Sequence, residues 1–220
     1  MPSEVLFPES EAKGLLVFLH GYGSGPDYLR PYLSPFLRAG FAVSTPKAPA
    51  HGEVQNFFTV KEPEALTRHA SNVIAAWVEE LSQEVPRLQA ELGLPLYAAG
   101  FSMGSYVWHE LISRRLLSPV AAALFGLGAV PNVSVPEGVE LPIARAEAYP
   151  PTALLQLHGG ADEVVPIALV EKTVSALAPA YRGHPGRLAL FRAEGVGHEI
   201  TPAMAEVAAG WLAAWREDGG

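Results

Sequence analysis

Apolar and polar positions alternate along the chain in two rhythms, short unbroken apolar runs and longer segments of helical period, the pattern of βα units that build a parallel sheet. Strands are predicted at 14 to 20, 41 to 45, 96 to 101, 120 to 128, 152 to 158 and 187 to 195. These runs, such as "GLLVFLH" and "TALLQLH", are nearly all apolar, as strands covered on both faces must be. Helices are predicted at 27 to 39, 63 to 92, 103 to 117, 166 to 180 and 201 to 216. In the longest, Val73, Ile74, Trp77, Val78 and Leu81 form one stripe, and Pro86 is expected to kink or divide it.

Two irregular stretches break the rhythm, residues 45 to 63 and 128 to 151. Long connections in a compact domain are favoured places for binding loops and lids, so substrate specificity is expected there. The length of 220 residues suits one α/β domain spanning 1–220.

Composition narrows the class of protein. A formal net charge of -8, with no basic cluster, gives no electrostatic reason to expect nucleic acid or an anionic membrane as partner. No apolar run is long enough to span a bilayer, and Glu4, Glu9 and Glu11 stand where a secretory signal would be basic and then apolar. The chain has no cysteine, which removes disulfides, thiolate nucleophiles and cysteine metal sites, and fits a cytoplasmic setting. His51 and His69 lack the spacing of a zinc-binding helix, so no metal is expected.

The candidate chemistry lies in "GFSMG", where Ser102 sits between an apolar strand-like run and a helix. This strand–turn–helix setting gives a GxSxG pattern a mechanism, because the glycines permit a sharp bend that leaves the hydroxyl exposed. The competing reading is a crowded βα turn that needs small residues. A serine needs a base, and the base needs an acid to orient it. Of three aspartates, Asp27 is expected to cap the first helix and Asp218 lies in the tail, whereas Asp162 follows a strand end. Glu163 is its nearest rival. Only His184 and His198 follow Asp162; His184 precedes its strand, and His198 comes after one, on the sheet edge where ligands gather.

Oxyanion stabilisation needs backbone donors, and Met103, at a helix N-terminus, supplies one. The second is expected from Tyr22, or else Gly23, in "HGYGSGP". That loop is not spaced as a dinucleotide fingerprint. Phe57 and Phe58 are candidate walls of an acyl pocket or plain loop anchors, and Val164 and Val165 are candidates for acyl contact or for core. Trp108 and His109 are expected as core and boundary residues rather than catalytic ones, and His20 and His158 as structural histidines at strand ends.

The segments "LHGYGSG", "GFSMGS", "HGGADEVVP" and "GVGHEI", in this order across residues 19 to 200, resemble the α/β-hydrolases, and more narrowly the phospholipase/carboxylesterase family of small serine esterases. The resemblance implies an α/β-hydrolase fold, a mostly parallel central sheet with helices on both faces and no large cap domain. It implies hydrolysis of short- to medium-chain carboxylic esters by Ser102, Asp162 and His198, with no cofactor, and is compatible with a homodimer. A thioesterase, a lysophospholipase or a peptidase would use the same machinery, and a non-catalytic binding protein could keep the scaffold. Relatives often carry Gln where this chain has Met103; the donor there is a backbone amide, so the chemistry is expected to survive.

Overall fold

A computed structural model describes residues 4–49, 63–131 and 140–216, with the side chains of 63–66 excepted. Seven strands form one sheet in the order β1-β3-β2-β4-β5-β6-β7: β1 (Val5–Leu6), β2 (Gly14–Leu19), β3 (Phe41–Ser44), β4 (Leu96–Phe101), β5 (Ala121–Phe125), β6 (Ala153–Gly159) and β7 (Leu188–Ala193). All pairings are parallel except the short β1, which runs antiparallel along β3. Helices α1 (Pro26–Leu29), α2 (Ser34–Arg38), α3 (Pro63–Leu92), α4 (Met103–Ser113), α5 (Ile167–Leu177) and α6 (Pro202–Ala214) fill the connections.

Strands β2 to β6 are buried throughout, as their largely apolar runs lead one to expect. Successive side chains of a strand point to opposite faces, which divides the core in two. Leu15, Val17 and Leu19 of β2 join Trp77, Val78 and Leu81 of α3 and Val107, Trp108 and Leu111 of α4. Leu16 and Phe18 join Phe36 of α2 and Ala205, Ala208 and Leu212 of α6 on the other face. Helices therefore cover both faces, and among the described residues no separate cap domain covers the sheet. No helix among them is long and apolar enough to cross a membrane.

Several elements differ from the sequence expectation. The helix expected over 27 to 39 is two short helices joined by a 3-10 turn at Arg30–Tyr32, because Pro31 and Pro35 lack the N–H that an unbroken helix needs. Asp27 does not cap it: Gly25 is the N-cap, and Asp27 lies in the first turn, ion-paired with Arg30 at 3.0 Å. Pro86 does not divide α3, since it lies on the exposed face, where the Ser82 carbonyl that it leaves unbonded can reach water. Strand β7 is only partly buried because it has a single neighbour, β6. A 3-10 segment, Pro142–Ala148, lies inside the second irregular stretch.

Trp108 and His109 are both fully buried, so neither lies at the boundary of the core. Trp108 Nε1 donates to the Ala99 carbonyl at 2.8 Å and ties α4 to β4. His109 sits in a buried polar chain, with Nε2 2.8 Å from Gln156 Nε2 and Nδ1 2.9 Å from the Tyr149 hydroxyl. Burial alone lowers its pKa to about 3, so the ring is neutral.

The sheet order sets where a ligand can enter. From β2 the chain passes to β3 on one side and then to β4 on the other, so the connections leaving β2 and β4 diverge and open a crevice at the strands' C-terminal ends.

Candidate active site

At the end of β4 the backbone turns into α4 through Ser102, which has φ 53° and ψ -115°. A non-glycine residue there is strained, and such strain persists only where the surroundings over-determine it. The two glycines of "GFSMG" are required by close approach rather than by a left-handed backbone. A Cβ on Gly100 would stand 2.5 Å from the Gly104 carbonyl oxygen, and one on Gly104 2.4 Å from that of Leu19. The elbow is also pinned by hydrogen bonds. The Ser102 amide donates to the Phe125 carbonyl at 2.8 Å, and the buried Ser105 hydroxyl reaches the carbonyls of Gly100 and Phe125 at 2.7 and 2.8 Å.

Asp162 lies three residues beyond β6, its side chain fully buried. Its Oδ1 accepts from the amides of Val164 and Val165 at 2.9 and 2.8 Å, which leaves Oδ2 to face Nδ1 of His198 at 2.7 Å. The loop after β7 carries His198 and is laced to the acid's loop: Gly160 donates to the Ala193 carbonyl at 2.7 Å and Ala161 to that of Val196 at 2.9 Å. A Cβ on Gly159 would come within 2.3 Å of the Val196 and Gly197 oxygens, so only glycine lets the two loops close. The Thr201 hydroxyl caps α6 by accepting from Met204, which fixes the far end of the His198 loop.

Nε2 of His198 stands 3.0 Å from Ser102 Oγ. The imidazole packs against Phe101, with ring centroids 5.0 Å apart, and over Gly126, where a Cβ would lie 3.2 Å from Cε1. The three residues expected from the sequence thus converge in the order Ser102, His198, Asp162. His184 lies before β7, at the other end of that strand.

The loop after β2 lies beside the serine, and a Cβ on Gly21 would be 3.4 Å from Ser102 Cβ. The Gly21 carbonyl accepts from the Ser24 hydroxyl and from Nδ1 of His20, both at 2.9 Å, while Nε2 of His20 accepts from the Ala48 amide at 3.1 Å. A trans peptide directs its N–H opposite to its C=O, so anchoring that carbonyl also fixes the direction of the Tyr22 amide. The Tyr22 hydroxyl lies 2.6 Å from Nδ1 of His69, and burial raises the phenol's pKa. Met103 opens α4, so its amide has no intrahelical partner.

Phe57 and Phe58 lie outside the described residues. Val165 is buried, and its described contacts are through the backbone, whereas Val164 is 55% exposed. The sequence reading did not single out Ser105, Gly126 or Gly159, and it assigned His158 no contact with the acid. His158 stands four residues before Asp162 at the same strand end, and that spacing was the available signal. A cavity of about 260 Å³ between β2, β3 and α3, lined by Val17, Ser44, Leu81 and Leu88, contains none of these residues.

The parallel sheet, the strained strand-to-helix elbow and the entry crevice at the strand ends define an α/β-hydrolase. No protein-family model matches the chain, and no curated protein does. Among solved structures, TT1662 from Thermus thermophilus is 34% identical with a TM-score of 0.83, over 97% of this chain and 92% of that one. The chain belongs to the α/β-hydrolase family, alongside TT1662. The same fold recurs in esterase PE8, at 23% identity, a TM-score of 0.70 and 96% of each chain covered. It recurs again in Zea mays acyl-protein thioesterase 2, at 19% identity and a TM-score of 0.61, over 98% of this chain and 99% of that one.

Proposed function

We propose that the chain is a serine hydrolase that cleaves carboxylic esters of short to medium acyl chain. The observation that carries this reading is the continuous line of contacts from Ser102 Oγ through His198 to the buried Oδ2 of Asp162, at 3.0 and 2.7 Å. Both distances lie within hydrogen-bonding range, and the serine backbone is strained.

In this reaction Ser102 Oγ attacks the acyl carbonyl carbon as its proton passes to Nε2 of His198. Asp162 holds the imidazole with Nδ1–H toward Oδ2 and stabilises the imidazolium. The amides of Met103 and Tyr22 receive the oxyanion, each such donor contributing on the order of 10²–10³ in rate. Collapse of the intermediate expels the alcohol, which takes the proton from Nε2. A water then repeats the sequence on the acyl-enzyme and releases the acid. All these steps use side chains and backbone of the chain itself, and the acidic, cysteine-free composition fits a cytoplasmic enzyme of small molecules.

The names of PE8, an esterase, and of the maize thioesterase support acyl transfer and leave two leaving groups to compare. Matched oxygen ester and thioester substrates decide between them, and a panel from acetyl to palmitoyl esters measures the acyl pocket. The reading itself is tested by Ser102→Ala and by a fluorophosphonate probe. Loss of p-nitrophenyl ester turnover and covalent labelling at Ser102 are expected; wild-type turnover in the variant would overturn the assignment.

A further inference from the structure

His158 is a fully buried histidine that the ester chemistry above does not use. Its Nδ1 has no hydrogen-bond partner among the described residues, while Nε2 lies 2.8 Å from the Val165 carbonyl. A carbonyl can only accept, so the ring's proton is on Nε2 and Nδ1 is bare. Nε2 also stands 3.4 Å from Oδ2 of Asp162, the oxygen that faces His198.

Val165 is bound on both sides of this arrangement. Its amide donates to Oδ1 of Asp162 and its carbonyl accepts from His158, so the turn that carries the acid is closed into a ring anchored to the C-terminal end of β6. We propose that His158 is a positioning residue for the ester reaction: through Val165 and by its place against Oδ2, it holds the Asp162 carboxylate in one orientation toward His198. The inference rests on the triad reading of the preceding subsection.

The chemistry follows from the proton's location. A neutral Nε2–H turns the positive end of its dipole toward Oδ2 without adding a second full charge beside His198. Burial keeps His158 neutral against the opposing influence of the Val165 carbonyl and Asp162. The charged groups around the pair are few. Asp162 and His198 act on His158 directly; Arg192, its register partner on β7, is ion-paired with Glu194 at 2.8 Å, and Glu163 and Glu199 flank the two triad loops.

The test compares His158→Phe and His158→Gln with wild type in kcat and KM from pH 5 to 9 on a short p-nitrophenyl ester, with sites counted by fluorophosphonate titration. In His158→Phe, kcat should fall about tenfold with KM little changed. His158→Gln, whose amide can supply an N–H near the Nε2 position, should restore most of kcat. A wild-type kcat in His158→Phe overturns the proposal, as does a loss that only tracks the fraction of folded protein.

If His158→Phe does not fold, ¹⁵N spectra of the wild-type rings decide. An Nε2–H tautomer at pH 7 is expected, and an Nδ1–H tautomer overturns the proposal. Failure of the underlying triad reading is separable, because it would appear as an unlabelled Ser102 in the wild-type enzyme.

Discussion

The carboxylate of Asp162 meets Nδ1 of His198 at 2.7 Å, with the aspartate side chain fully buried and the histidine 16% exposed. The other carboxylate oxygen is taken by two backbone amides, so the acid cannot rotate without losing both. Asp162→Asn would offer an amide in place of one oxygen and favour the wrong imidazole tautomer. We expect kcat to fall by about 10³–10⁴ with the fold retained, measured by steady-state kinetics beside circular dichroism. A loss below tenfold would remove Asp162 from the triad.

Gly104 and Gly210 are both helical, and their substitutions should act in opposite directions. A Cβ on Gly104 would lie 2.4 Å from a β2 carbonyl oxygen, whereas one on Gly210 meets nothing within 4 Å. Gly104→Ala should lower stability by about 1–3 kcal/mol or more and displace Ser102. Gly210→Ala should raise stability by about 0.5–1 kcal/mol with activity unchanged. Urea unfolding of both variants, with equal m-values, reads the two signs.

Ser105 carries one hydroxyl between two buried carbonyls on β4 and β5. Ser105→Ala should cost about 1–3 kcal/mol, because the Gly100 and Phe125 carbonyls lose this donor in a place water cannot reach. A change under 0.5 kcal/mol in the same unfolding assay would mean that the elbow is pinned by the Ser102 amide alone.

Buried histidines should make the fold acid-sensitive. The His109 pKa falls from 6.5 in the unfolded chain to about 3 in the fold, and that of His158 is lowered in the same sense. Between those values the unfolded state binds more protons, so stability is present above pH 6.5 and is lost as pH falls toward 3. The slope is at most about 1.4 kcal/mol per pH unit for each histidine. Denaturation midpoints at pH 7, 6 and 5 should fall in wild type and fall less steeply in His109→Gln.

Much of this was legible before any coordinates. Five strands are covered on both faces and are mostly apolar, which made them visible as short apolar runs. Parallel strands share one C-terminal edge, so chain order selected His198 over His184, whereas Asp27 was set aside as a helix cap and Asp218 as part of the tail. What stayed hidden depends on proximity between distant segments. Gly126 matters because His198 lies above it, and Gly159 because the chain returns 37 to 38 residues later at Val196 and Gly197. The strand β1 was missed because two residues are too few to show a period. Pro31 and Pro35 carry the signal of the break in the first helix.

The backbone of Ser102 has a further consequence for how this protein can change. Glycine occupies a φ of 53° without the penalty that a serine bears, and relief of such strain is worth about 1–3 kcal/mol. Ser102→Gly should therefore melt at a higher temperature than wild type while being inert toward esters. Under the proposed mechanism, drift toward greater stability at this position leads straight to a silent protein, so strain and reaction are tied to the same residue.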